Sequence, residues 1–221
     1  GESARFWPLA NGIHKSQTVL LGKPLIYWSL KGLAENGIKD IVIVTSKDSS
    51  IQEMLQEHDL DINISYAVQE EPLGTGNALA QAKDFVKEPF VLLWGNKVSA
   101  GQLVKQMIAD QKEKGADAVL VGAETVNPQD YGVARFDGDR VVEIVENPES
   151  GKEPSNIRIA GVRLLQPDFF EYYEKLPNHH EADLVDATNA YLKDKKVFLL
   201  MAEEKGLTLK YPWDLFGIMD S

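Results

Sequence analysis

The stretch GESARFWPLANGIHKSQTVLLGKP, residues 1–24, decides how the rest of the chain is interpreted. It carries two cations, Arg5 and Lys15, and it is punctuated by Pro8 and Gly12. Glycine lets backbone N–H groups approach phosphate oxygens closely, and the cations neutralise charge that backbone dipoles cannot neutralise alone. The stretch therefore predicts a polyphosphate-binding loop, with an ordinary surface loop carrying two solvated cations as the alternative.

The same residues resemble the front end of the sugar-1-phosphate nucleotidyltransferases, also called nucleotide-sugar pyrophosphorylases. That family shows G-x-G-x-R-[FL]-x-P-L-T, then P-K-P, then G-K-P at the start of the first helix. The matching positions are Gly1, Arg5, Phe6, Pro8, Leu9, Lys15, Gly22, Lys23 and Pro24, whereas Ser3 and His14 depart from the pattern. The resemblance implies that Gly1 binds nucleotide and that Arg5 and Lys15 are the catalytic cations. It describes a divergent member, and we expect the natural chain to begin upstream of Gly1.

The composition is typical of a folded globular protein and narrows the classes of partner. The chain has 221 residues, 43% of them hydrophobic, which is enough for one large domain with a substantial core. A net charge of −11 argues against nucleic acid or an anionic membrane as the main partner, although a small phosphorylated ligand responds only to its own pocket. The absence of cysteine excludes a disulfide framework and a thiolate zinc site. No apolar run approaches the roughly 20 residues of a membrane span, and a cytoplasmic location is our default expectation.

Alternating apolar and amphipathic segments predict an α/β fold. Short apolar runs at residues 41–44, 62–68, 90–94 and 118–122 alternate with helical patterns, as in βαβ units. We predict a Rossmann-like, three-layer α/β/α fold in which these runs share one mostly parallel sheet. Residues 131–136 and 141–145 flank Asp137-Gly138 and predict a hairpin in a small mixed β subdomain on the sugar side. The whole chain, 1–221, is predicted to be one nucleotidyltransferase domain with a nucleotide-binding half (about 1–122) and a sugar-side half (about 123–221).

The loop at residues 69–78 carries the most specific motif. It follows a predicted strand and precedes a predicted helix, which is where ligands bind in open α/β sheets. It matches the family pattern Q-x-x-P-x-G-T-[AG], whose glutamine reads the edge of the base. The resemblance implies that Gln69, Pro72, Gly74 and Thr75 bind the nucleotide. A glycine-rich helix N-terminus without a ligand is the alternative.

The second half of the chain continues the resemblance through the family patterns D-Y-G-V, E-K-P and N-A-G. These matches imply sugar-binding roles for Tyr131, Gly132, Glu146 and Gly161. Two positions depart from these patterns: Asn147 replaces the lysine that binds the sugar phosphate in the family, and Ile159 replaces the asparagine of N-A-G.

The family's two magnesium-binding aspartates are also replaced. Asn96 and Thr208 occupy those positions, and both offer neutral oxygens to a cation that proteins usually hold with carboxylates and substrate phosphates. Magnesium is therefore expected for the family but doubtful in this chain, unless Asp186 or Asp214 is recruited. We interpret His179-His180 as a solvated turn rather than as a metal-binding pair.

Two functional readings follow. The first is a nucleotidyltransferase that joins a sugar-1-phosphate to a nucleoside triphosphate and releases pyrophosphate, with weak or lost activity. The second is a degenerate relative that binds nucleotide or sugar nucleotide and serves in regulation or assembly. Both readings imply small phosphorylated ligands rather than nucleic acid or membrane, and both leave a homo-oligomer open.

Overall fold

A computed structural model describes residues 14–47, 50–98 and 100–202. The strands are β1 (Val19–Leu20), β2 (Lys23–Pro24), β3 (Asp40–Ser46), β4 (Asn63–Gln69), β5 (Phe90–Leu92), β6 (Ala118–Glu124), β7 (Gly132–Asp137), β8 (Arg140–Glu146), β9 (Ile157–Leu165) and β10 (Val197–Met201). The α-helices are α1 (Leu25–Glu35), α2 (Ile51–Gln56), α3 (Thr75–Ala80), α4 (Ala100–Lys114), α5 (Phe169–Glu174) and α6 (Asp183–Asp194). The predicted α/β class is confirmed, and the sheets are mixed.

The chain divides into two compact units, each assembled from separate stretches of sequence. The first unit comprises Gly1–Pro72, Leu93–Lys105 and Lys205–Ser221. Within it, β3 and β4 pair in parallel, and the apolar faces of α1 and α2 pack with β3 in one core. The core members include Ile26 and Leu30, which are four residues apart on α1 and therefore share one face of the helix.

The second unit comprises Leu73–Leu92 and Gln106–Glu204. It contains a six-stranded sheet in the order β5-β9-β6-β10-β8-β7, with an additional pairing between β9 and β7. Only the pair β10–β6 is parallel in this sheet as described. Its core contains residues of the sheet and of α3, α5 and α6; the largest buried members include Leu120, Leu165, Phe169 and Tyr191.

The prediction that four apolar runs share one mostly parallel sheet is wrong in its pairing. In the described residues, β3 and β4 form a two-stranded sheet, whereas β5 and β6 belong to the six-stranded sheet. There, β9 lies between β5 and β6 and pairs antiparallel with both. A buried apolar run favours a strand but does not encode its direction or its neighbour, and β9 comes from much later in the chain.

The hairpin prediction is confirmed. Strands β7 and β8 are antiparallel, with Asp137 opposite Arg140, and Gly138 adopts a positive φ of 62° in the turn. Such left-handed backbone is open to glycine at little steric cost, which explains why an Asp-Gly pair marks this turn.

A bulge in β9 shapes the region where the predicted sugar residues lie. Leu120 pairs with Arg163 and Gly122 pairs with Ile159, so a step of two residues on β6 faces a step of four on β9. Gly161 lies inside this irregularity with a φ of 76°. Bulges bend a strand and change its register, so the part of β9 before Gly161 is shifted against β6 relative to the part that holds Arg163.

Candidate functional site

A short capped turn in the first unit carries Lys15. Residues Lys15–Gln17 form a 3-10 helix whose N-cap is His14. The Ser16 backbone N–H donates to His14 Nδ1 at 3.2 Å, and the His14 backbone N–H donates to Gln17 Oε1 at 3.0 Å. Gln17 Nε2 in turn donates to Ser50 Oγ at 2.7 Å. The histidine that replaces the family's proline therefore fixes the turn that presents Lys15.

His14 performs this capping role as a neutral imidazole. Burial, assisted by nearby positive charge that includes the Lys15 cation, lowers the pKa of His14 from 6.5 to about 4. A neutral ring keeps one nitrogen lone pair, and Nδ1 uses that lone pair as the cap. The Lys15 turn is therefore held by a group that stays uncharged at neutral pH.

The loop carrying Asn96 lies beside this turn within the same unit. Ser29 Oγ donates to the carbonyl oxygen of Gly95 at 3.2 Å. A Cβ built on Gly95 would lie 3.6 Å from Ser16 Cβ, so the loop and the turn lie close together. Asn96 is buried, with 4% of its surface exposed, and its Oδ1 has no hydrogen-bond partner. The structure therefore brings the predicted Lys15 and Asn96 positions into one neighbourhood.

The described residues do not fit a preformed magnesium site. Asn96 supplies one neutral oxygen at the family's metal position, and no group of three or more His, Asp or Glu side chains suited to a metal occurs in the ranges 14–47, 50–98 and 100–202. A small, strongly hydrated dication needs more negative charge than one amide oxygen provides. Thr208 and Asp214 lie outside the described residues.

Gln69 and Pro72 lie at and just beyond the end of β4. Gln69 is the last residue of the strand, paired in register with Ser46, and it is half-buried, whereas Pro72 is exposed. This is the carboxyl end of a parallel pair, as predicted for the nucleotide loop.

Gly74 and Thr75 lie at the start of α3 in the second unit. Gly74 is the N-cap with a φ of 102°, and a Cβ on it would lie 2.7 Å from both Cα and the carbonyl oxygen of Glu181. A side chain at position 74 would therefore meet backbone, and only glycine fits. Thr75 is exposed.

A buried acidic network that the sequence did not reveal lies behind this helix start. Asp183 is fully buried at the beginning of α6, and its Oδ2 contacts His179 Nδ1 at 3.2 Å. Burial, followed by a hydrogen bond to Asp183, raises the pKa of Tyr173. A Cβ on Gly76 would overlap Asp183 Oδ1 and approach Tyr173 Cε2 to 2.5 Å. The close fit explains why position 76 is glycine in this chain.

His179 and His180 do not face a common point. His180 Nε2 contacts Asp186 Oδ2 at 2.7 Å, whereas His179 contacts Asp183. Each imidazole therefore has its own carboxylate, which agrees with the interpretation of this pair as a turn.

The predicted sugar residues Gly132 and Glu146 lie together in the second unit, at one end of the β7–β8 pair. Gly132 is opposite Glu146 in the register, and a Cβ on Gly132 would overlap Glu146 Oε2. The Asn147 backbone N–H donates to the carbonyl oxygen of Tyr131 at 3.0 Å, and Asn147 adopts a φ of 44°. Partial burial raises the pKa of Glu146, and the Arg163 cation opposes this effect.

Two buried arginines on β9 complete this cluster and were missed by the sequence analysis. Arg158 is 2% exposed, and its guanidinium carbon lies 5.1 Å from the centre of the Tyr131 ring. Arg163 is 4% exposed and interacts electrostatically with Glu146. An arginine is usually expected to face solvent, so the sequence pattern did not indicate that these two are buried. Gly1 and Arg5 lie outside the described residues.

Comparison with known proteins places the chain in a family. The Nucleotidyl transferase family matches residues 1–213. The chain belongs to this family. The nucleotidyl transferase chain is 30% identical over 224 residues to a bifunctional sugar-1-phosphate nucleotidylyltransferase/acetyltransferase from Sulfurisphaera tokodaii, covering 99% of the chain but 52% of that relative. It is 31% identical over 201 residues to a glucose-1-phosphate thymidylyltransferase from Xanthomonas campestris, covering 87% of the chain and 67% of the relative.

Solved structures show the same fold. A UDP-glucose pyrophosphorylase from Acinetobacter baumannii matches with a TM-score of 0.79 and 21% identity, covering 100% of this nucleotidyl transferase chain and 90% of that structure. At that identity the likeness establishes the fold alone. Among the described helices of this family member, none is both long and apolar enough to cross a membrane.

Proposed function

We propose that this chain is a nucleotidyltransferase that joins a sugar-1-phosphate to a nucleoside triphosphate, giving a nucleotide sugar and pyrophosphate. The observation that carries the proposal is the pairing of Gly132 with Glu146. The glycine leaves open the space that Glu146 Oε2 fills, and a carboxylate held in this way accepts hydrogen bonds from sugar hydroxyls. The Sulfurisphaera and Xanthomonas relatives are both named for sugar-1-phosphate nucleotidyl transfer, which supports this substrate class.

The family pattern assigns the nucleotide to the Lys15 turn and to the residues from Gln69 to Thr75. We propose that Gln69 reads the base, and that Pro72, Gly74 and Thr75 shape the nucleoside pocket. Gly1, Arg5 and Lys15 are assigned to the triphosphate by the family pattern. The capped turn at His14 supports the assignment of Lys15, since a cation on a fixed turn loses little entropy when it binds phosphate.

The proposed chemistry is direct displacement at phosphorus. An oxygen of the sugar phosphate attacks the α-phosphorus of the triphosphate, a new P–O bond forms, and the bond to pyrophosphate breaks. No covalent enzyme intermediate is needed, so the protein contributes positioning and neutralisation of the charge that builds on the α-phosphate. In this chain, we assign to Arg5 and Lys15 the neutralisation of charge on the α-phosphate, and to Glu146 the binding of the sugar.

We propose that turnover is slow, because several charged positions of the family pattern are neutral here. Asn96, Thr208 and Asn147 replace two carboxylates and a lysine. Removing one preorganised electrostatic group from an active site commonly costs about 10²–10³ in rate. Magnesium belongs to this proposal as a family cofactor that the substrate phosphates would have to help retain.

The second candidate is a catalytically degenerate relative that binds nucleotide or sugar nucleotide. The buried, unpartnered Oδ1 of Asn96 favours it, since a neutral oxygen stands where the pattern has a carboxylate. A pyrophosphate-release assay with several triphosphates and sugar-1-phosphates separates the two candidates. Release that requires both substrates supports the enzyme, whereas ligand binding without release supports the degenerate relative.

A further inference from the structure

We propose that Arg163 binds the phosphate of the sugar-1-phosphate, in place of the lysine that the family pattern has at Asn147. This inference rests on the proposed function and assigns the cation of its sugar-phosphate site. Arg163 lies outside every motif that carries the family resemblance, and what distinguishes it is its burial in the second unit near Glu146.

Arg163 is a buried cation with unused donors. Only 4% of its surface is exposed, yet Nε and Nη1 have no hydrogen-bond partner. Within the described ranges no carboxylate forms an ion pair with its guanidinium. Burying a charge is costly unless it is paired and hydrogen-bonded. Because the guanidinium is already desolvated, an anion that reaches it gains a strong interaction without paying that cost again.

The guanidinium remains charged under ordinary conditions. Burial lowers the pKa of Arg163 to about 10, and the Glu146 carboxylate raises it in opposition. A group with this pKa is protonated at neutral pH, so it offers a full positive charge and a planar fork of N–H donors. That fork matches the oxygens of a phosphate in a bidentate arrangement.

Arg163 and Glu146 together suit the two ends of a sugar phosphate. Glu146 is an acceptor, which suits hydroxyl groups, and Arg163 is a donor, which suits phosphate. The Glu146 carboxylate and the Arg163 guanidinium interact electrostatically, so the acceptor and the donor lie near each other. Arg163 lies in regular register between β5 and β6, opposite Leu92 and Leu120, and the bulge around Gly161 separates it from the part of β9 that pairs with β7. Asn147, immediately after Glu146, carries no charge that would compete.

The other buried arginine of the cluster is already engaged. The guanidinium of Arg158 lies over the ring of Tyr131, at 5.1 Å from its centre. A cation held against an aromatic face contributes to packing and to the placement of Tyr131. Arg163 has no such aromatic partner among the described residues and is therefore the better phosphate ligand.

The test is calorimetric binding of glucose 1-phosphate to the full chain and to four variants. Arg163→Met should weaken binding about 10- to 100-fold, the value of a hydrogen bond to a charged group. Glucose without phosphate should bind the wild type and Arg163→Met equally. Arg135→Met removes an arginine whose Nε contacts Glu143 on the surface at 2.7 Å, and should bind like the wild type. Arg163→Met combined with Asn147→Lys should recover most of the affinity.

Arg163→Lys covers the case in which the methionine variant does not fold. It keeps the charge and loses the fork, and its affinity should fall about fivefold, the value of one hydrogen bond. Unchanged affinity in a folded Arg163→Met or in Arg163→Lys overturns the inference and leaves the proposed function standing. If the wild type binds inorganic phosphate through Arg163 but no sugar-1-phosphate, the sugar assignment of the proposed function fails while the phosphate role of Arg163 holds. If it binds neither, both proposals are wrong.

Discussion

The carboxylate of Glu146 occupies the space that a side chain at position 132 would fill. The two residues are opposite each other across β7 and β8, and a Cβ on Gly132 would overlap Glu146 Oε2. The pair gives a structural reason for glycine at the first position of β7. A substitution at position 132 should therefore change the orientation of Glu146.

Gly132→Ala should weaken the binding of glucose 1-phosphate, because the new methyl group displaces the Glu146 carboxylate. The loss of a hydrogen bond to a charged group predicts about 10- to 100-fold weaker binding by calorimetry. The free energy of unfolding should change by less than about 1 kcal/mol, because a flexible side-chain end can move away. Glu146→Gln keeps the shape and loses the charge, and should weaken binding in the same direction. Wild-type affinity in Gly132→Ala would contradict the role given to Glu146.

Gly101→Ala should destabilise the first unit strongly, whereas Gly32→Ala should not. A Cβ on Gly101 would overlap the carbonyl oxygen of Gly32 and lie 2.9 Å from Asn36 Nδ2. A Cβ on Gly32 would lie 3.3 Å from the Val98 carbonyl oxygen and 3.9 Å from the Gly101 nitrogen, with no overlap. Overpacking against backbone costs about 1–3 kcal/mol or more, while alanine inside a helix gains up to about 1 kcal/mol over glycine. Urea unfolding of both variants measures the difference, and equal losses would show that α1 and α4 do not meet at these glycines.

Stability should fall as the pH drops from 6.5 towards 4, in part because of His14. Its pKa is 6.5 when unperturbed and about 4 in the fold, mainly through burial. Between these values the unfolded chain binds a proton that the folded chain does not, so the free energy of unfolding rises with pH. His14→Asn keeps a capping acceptor that does not titrate and should reduce this slope. Thermal unfolding across this pH range gives the comparison, and an unchanged slope in His14→Asn would rule out a contribution from His14.

Much of the fold follows from the sequence because local patterns encode local structure. The apolar runs at residues 41–44 and 118–122 lie within the strands β3 and β6, and Asp137-Gly138 marks a real hairpin. Strand pairing was not predictable in the same way, because β9 reaches back to lie between β5 and β6. An apolar run indicates that a strand is buried, but the neighbours of that strand depend on contacts between residues that are far apart in the sequence.

The candidate site also has a part that the sequence predicted and a part that it did not. The motifs predicted ligand-binding roles for the glycines at positions 74 and 132, and in the structure a side chain at either position would meet the protein's own backbone or a carboxylate. Arg163 and Asp183 are charged residues that are buried, which is rare enough that sequence reasoning assigns such residues to the surface. The glycine at position 161 was the one signal of an irregular strand beside Arg163.

Asn96→Asp should make the stability of the chain depend on magnesium. The buried Oδ1 of Asn96 has no hydrogen-bond partner, and a carboxylate there would be a buried, unpaired charge without a cation. The melting temperature of Asn96→Asp should therefore fall below that of the wild type and recover as magnesium chloride is added, since a ligand that binds the folded state stabilises it. The wild type should respond no more to magnesium chloride than to sodium chloride of equal ionic strength. A wild-type response as large as that of the variant would show that the native residues already hold the ion.

Pyrophosphate release is the most direct test of the central claim that this chain is a slow nucleotidyltransferase. The assay pairs glucose 1-phosphate with each nucleoside triphosphate in the presence of magnesium. It compares the wild type with the triple variant Asn96→Asp, Thr208→Asp and Asn147→Lys. The account predicts slow release that requires both substrates and matches the nucleotide sugar formed, and a rate in the triple variant higher by at least about 10²-fold. No release from either protein, in preparations that bind both substrates, would contradict it.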